Sequence, residues 1–202
     1  MTQGSIIPPS TSKVGIMGIA PGEYAMPTGN AFSNTITTAV GSNCYFIPFS
    51  LPPGFVCDQV KLFLTTAQPG AGCLVGFYDN DYVNGRPGNL IVSIGEIDLS
   101  AGSGAEKTLS VNNVPLPPNC WAAIWMKAVA TQATFSGVSG PSPTGLFGSS
   151  SANIDAASQP RAKFAFAAYP SPAILPARAI DISGTIANTG SGSIPIFFPR
   201  RR

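Results

Sequence analysis

Two aspartates one residue apart lie in the run CLVGFYDNDYVNGRPGNLI, and carboxylates at that spacing suggest either cation binding or acid–base catalysis. Asp79 and Asp81 match the first two ligand positions of an EF-hand loop. The next ligand place holds Val83, and the closing glutamate is replaced by Leu90, so that reading fails. A second acidic pair, Glu96 and Asp98, alternates along GEIDL. On a strand the two would share one face about 6 to 7 Å apart. That separation falls within the roughly 5 to 9 Å between the carboxyl groups of glycosidases. It is also the separation of any solvent-facing acidic pair, and the solvated reading is preferred.

Histidine is absent, which removes the commonest general base and the imidazole-dependent zinc sites. The cysteines at 44, 57, 73 and 120 show no CxxC spacing and each lies in or beside an apolar run, so buried free thiols are expected. No Walker A loop, dinucleotide fingerprint or GxSxG elbow occurs. The residues point to a non-enzyme with no cofactor and no metal.

The aromatics leave a binding role open. Tyr78 and Tyr82 flank the aspartates, and such rings stack on sugar CH faces while acid and amide groups accept hydroxyl hydrogens. Tyr78, Asp79, Asp81, Tyr82 and Asn84 are therefore the candidate contact set for a glycan or a neighbouring subunit. Trp121 and Trp125, four apart, would lie on one side of a strand, and core packing is the preferred reading for them.

The elements that must hold these residues read as strands. Short apolar runs separated by Gly, Pro, Asn and Ser recur along the 202 residues, with little helical periodicity. CYFIPFSL (44 to 51), VCDQVKLFLTT (56 to 66), CLVGFYD (73 to 79), NLIVSIGEIDLS (89 to 100) and EKTLSVNNVPL (106 to 116) are successive strand candidates. In the second, Val60, Leu62 and Leu64 occupy one face and Lys61 and Phe63 the other. Gly76 interrupts the third and suggests a bulge or a close backbone approach. CWAAIWMKAVAT (120 to 131) mixes small and aromatic residues as a central strand covered on both faces would, although a helix entered through Pro117–Asn119 competes.

Residues 136 to 159 form a Gly/Ser-rich stretch expected as a long loop. KFAFAAY (163 to 169) alternates again, and AIDISGTI (179 to 186) and IPIFF (194 to 198) could pair as final strands. Pro and Gly break every apolar group in residues 1 to 43, which read as an extended N-terminal arm. The predicted fold is all-β, a jelly-roll-like two-sheet antiparallel sandwich over residues 44–202 preceded by that arm.

Charged residues make up only 10% of the chain, well below the roughly 25% of an ordinary soluble domain. Without the terminal Arg200, Arg201 and Arg202 the balance is eight basic to nine acidic groups, so no basic face for nucleic acid is expected. The arginine triplet itself reads as a solvated tail. No apolar run approaches the roughly 18 residues of a membrane span, and the N-terminus lacks a secretory pattern.

The order APGEYAMPTG, NCYFIPFSLPPG, DQVKLFLTT, GCLVGFYDNDYVNGRPGNLI, IGEIDLSAGSGAEKTL and LPPNCWAAIWM resembles a domain that recurs in structural proteins of tailed bacteriophages, including tail-fibre-like and other virion surface proteins. The resemblance spans about residues 21 to 130. It implies a β-sandwich assembled on virions, a homo-oligomer with a trimer as the guess, partnered by other capsid or tail proteins and in some members by host surface glycan. It carries no catalytic residue. The expected function is a virion surface protein of tail-fibre or receptor-binding type, made in the host cytoplasm. The alternatives are a capsid decoration (cement) protein and a free carbohydrate-binding module.

Overall fold

Residues 19–25, 36–38, 44–83, 86–127, 129–138, 162–164, 174–179, 186–188, 194–195 and 197–202 are described by a computed structural model of the chain. Among them are twelve strands: β1 (Ile36–Thr38), β2 (Cys44–Ser50), β3 (Val56–Thr66), β4 (Gly72–Asp81), β5 (Arg86–Asp98), β6 (Ala105–Pro115), β7 (Asn119–Met126), β8 (Thr134–Val138), β9 (Ala162–Phe164), β10 (Ile186–Asn188), β11 (Ile194–Pro195) and β12 (Phe198–Arg201). No α-helix occurs among the described residues, and the segment from Asn119 is a strand.

The antiparallel pairings nest: β1 with β8, β2 with β7, β3 with β6, and β4 with β5. One long hairpin rolled up on itself has this pattern. The cross-pairs β3 with β8 and β4 with β7 close the roll into two four-stranded sheets, β1-β8-β3-β6 and β2-β7-β4-β5. That is jelly-roll topology. The second sheet is extended through β9 and β10 on the free edge of β2.

Side-chain alternation explains the layers. On β7, Cys120, Ala122, Ile124 and Met126 enter a core shared with Val60, Leu62 and Leu64 of β3, while Trp121, Ala123 and Trp125 face the other way. Both faces of β7 are buried, as its composition predicts. The outer face of the second sheet is covered by residues 174–179, with Leu175 and Ala179 packed on Phe46, Leu74 and the two tryptophans. Gly76 makes this possible: a Cβ there would collide with Leu175 Cδ1 and with the Val92 carbonyl oxygen. The register also shifts between Val75 and Gly76, so this glycine marks both a bulge and a close approach. The first sheet alternates more openly, and Phe63 remains 39% exposed on its outer face.

Of the expected final strands AIDISGTI and IPIFF, residues 180–185 and 196 lie outside the described residues; among those described, β10 joins β9, β11 joins β8 and β12 joins β3. The C-terminal residues enter where β3 and β8 diverge, and Phe197 fills the main core edge-on to Phe77 at 5.3 Å between ring centres. One expectation is corrected: the arginine triplet is no loose tail. Arg200 Nε and Nη2 both donate to Asp58 at 2.9 Å, and Arg201 Nη1 donates to the Ile19 carbonyl at 2.5 Å. Of the stretch 1–43 read as an arm, residues 19–25 lie along β12 and 36–38 form β1 within the first sheet. The rest of that stretch, and most of 136–159, fall outside the described residues.

Candidate functional site

The paired aspartates stand at the end of β4, not in a loop. Strand pairing continues to Asp81 opposite Arg86, which leaves only residues 82–85 as the connection. Residues 79–81 are therefore held by strand hydrogen bonding on a fixed frame. Asp79 also pairs with Cys120 of β7.

Each polar side chain here has a specific partner. Asp79 Oδ1 accepts the Asn89 backbone N–H at 2.5 Å, and Oδ2 accepts Asn89 Nδ2 at 3.3 Å. Asn80 Oδ1 accepts the indole N–H of Trp121 at 2.9 Å, tying the strand end to the buried outer layer. Asp81 Oδ1 accepts the Val83 N–H at 3.1 Å and Oδ2 lies 3.5 Å from Arg86 Nε. Gly88 lies inside β5. Its missing side chain is filled by the Asp79 carboxylate, so its role is space and not turn geometry.

Residues 174–179 complete the site. Leu90 N–H donates to the Ala177 carbonyl at 2.7 Å and Asn89 forms a backbone bridge with Arg178. This brings the Arg178 side chain to the hairpin base, where a cavity of about 320 Å³ is lined by Asp79, Asn80, Asp81, Arg86, Asn89 and Arg178 together with Pro87 and Gly88. Two carboxylates, two guanidiniums and two amides converge on one concave surface of balanced charge. Such a lining offers many directed hydrogen bonds, and its size reaches the lower end of small-ligand sites.

Of the four candidate contact residues that are described, Asp79 and Asp81 line this cavity and Tyr78 and Tyr82 do not. Tyr78 is fully buried in the outer layer, its hydroxyl donating to the Pro176 carbonyl at 2.8 Å and its ring edge-on to Phe46. It supports the site from beneath and offers no face to a ligand. Tyr82 is 72% exposed at the hairpin tip, outside the cavity lining. Asn84 lies outside the described residues. Sequence reasoning missed Arg86, Asn89 and Arg178. The first two were accessible, because a hairpin places Arg86 opposite Asp81, but Arg178 carries no local signal.

The other acidic pair behaves differently. Glu96 and Asp98 are exposed on one face of β5, with Glu96 Oε1 3.6 Å from Lys127 Nζ. Ser100 donates hydrogen bonds to Asp98 and holds its carboxyl below the ordinary range. A glycosidase acid needs the opposite shift. All four cysteines are buried with free thiols. Burial pushes the Cys57 and Cys120 thiols up to about 12 and raises those of Cys44 and Cys73 as well.

Among the described residues no cluster of three or more His, Cys, Asp or Glu could hold a metal, and no helix is long and apolar enough to cross a membrane. No protein-family model, curated protein or solved structure matches the chain.

Proposed function

We propose that this chain is a bacteriophage virion surface protein of the tail-fibre or receptor-binding type, a jelly-roll subunit that presents the β4–β5 hairpin outward. The observation that carries the proposal is the hairpin itself. Tyr82 and Val83 are 72% and 91% exposed at its tip, directly beyond a polar cavity whose walls are fixed by strand pairing and by a crossing segment. Recognition surfaces are commonly loops positioned by a rigid scaffold.

Two further features support it. The motif order from APGEY to LPPNCWAAIWM resembles virion surface domains, and jelly rolls serve in viral capsid and lectin domains. The low charge suits a subunit whose surface is largely taken up by neighbours, since obligate interfaces are more apolar than free surfaces. Fold alone does not assign function; the site and the motif order give this reading its content.

Mass spectrometry of gradient-purified particles from cells producing this chain tests the proposal. Peptides of the chain at a stoichiometric ratio to other virion proteins are the expected result. Their absence from particles, with the chain present in the lysate, would overturn it.

A further inference from the structure

Resting on the receptor-binding reading and carrying it further, the geometry points to the β4–β5 cavity as a binding site for an uncharged saccharide bearing vicinal hydroxyls, with Arg178 as a determining contact. Three observations select that ligand class.

The first is charge. Asp79 and Asp81 oppose Arg86 and Arg178 around the cavity, so among the described residues the lining carries no net charge to attract an anion or a cation. The 3.5 Å approach of Arg86 to Asp81 consumes part of that charge internally. An acidic sugar entering here would meet two carboxylates, and a metal ion would meet two guanidiniums.

The second is hydrogen-bonding form. A pair of adjacent hydroxyls presents donors and acceptors side by side. Carboxylates accept only, guanidiniums donate only, and amides do both. Asp79 and Asp81 can accept hydroxyl hydrogens while Arg178 donates to hydroxyl oxygens. Hydrogen bonds to charged groups are also the stronger kind, which offsets the loss of water from a polyol.

The third is pre-organisation. Asp79 is held by two hydrogen bonds from Asn89 and sits where Gly88 lacks a side chain; Asn80 is fastened by Trp121. The Arg178 backbone is bridged to Asn89. Little side-chain freedom at Asp79 and Asn80 has to be given up on binding. The cavity of about 320 Å³ is adequate for a single sugar ring.

This site differs from an aromatic stacking platform at the hairpin tip, and the two make opposite predictions for Tyr82. The full chain is titrated by calorimetry and by ligand-observed NMR with the methyl glycosides of glucose, mannose and galactose, and with glucuronate. Binding of at least one neutral glycoside is expected, weakened about tenfold or more in Arg178→Ala and by less in Tyr82→Ala, whose side chain lies outside the cavity lining. Circular dichroism checks that Arg178→Ala retains its strands; should it unfold, Asn89→Ala, which removes the Nδ2 hydrogen bond to Asp79 Oδ2 and one amide of the cavity lining, is read in its place with the same expectation. Failure of all neutral glycosides to bind, preference for glucuronate, or loss of binding in Tyr82→Ala with Arg178→Ala unaffected would each overturn the assignment. A negative titration leaves the particle-composition result standing, so failure here and failure of the virion reading are separately visible.

Discussion

A single missing side chain shapes the hairpin cavity. Gly88 yields its Cβ position to the Asp79 carboxylate, so Gly88→Ala must push that group or the β5 backbone aside. The expected cost is about 1–3 kcal/mol, the usual range for overpacking, read as a lower urea midpoint at unchanged slope. The buried thiols give a second prediction at this scale. With Cys57 and Cys120 raised to about 12 by burial, the reactive thiolate is scarce at pH 8. A disulfide reagent such as DTNB should label none of the four cysteines in the folded chain within minutes, and all four after unfolding in guanidinium. Rapid native labelling would show that these residues are not the core packing described here.

At the scale of elements, the C-terminal strand is where the structure departs most from its sequence pattern. β12 is the four residues FPRR, and its arginines read as a tail. It is a strand because Phe197 has a core to enter and because Asp58 of β3 stands ready for Arg200. Phe197→Ala should cost about 3–5 kcal/mol, as for other buried phenylalanines. The ion pair adds a pH signature. Arg200 beside Asp58 holds that carboxyl below its ordinary value, so the folded state binds a proton less readily than the unfolded chain. Its contribution is complete above the unfolded value of about 4 and is lost as pH falls through the depressed folded value. Asp58→Asn should therefore flatten part of the acid limb of stability measured by denaturation between about pH 5 and pH 2.

Local pattern made β3, β7 and Gly76 legible, because alternation and a glycine within an apolar run act over a few residues. It also placed Asp79 and Asp81 near one another. Arg178 was not legible, since its place depends on Leu175 and Ala179 settling on the outer face of the second sheet. Tyr78, a contact candidate because it flanks Asp79, lies on a face that only the crossing segment shows to be covered. Exposure of one face of a sheet is a property of what packs on it, not of the strand.

At the scale of the molecule, the nested pairings produce a rolled hairpin whose cross-sheet core and covered outer layer account for both tryptophans. Trp121 is 1% and Trp125 2% exposed, so native fluorescence should be blue-shifted and move to longer wavelength in one cooperative step on unfolding. In this frame Tyr82 and Val83 stand exposed beyond the end of β4, and the proposed role on a virion depends on that exposure. The most direct measurement is immunogold labelling of intact phage particles with an antibody raised against residues 79–89. Gold on the surface of intact virions is the predicted result. Labelling only after particles are disrupted, or none at all, would contradict the account.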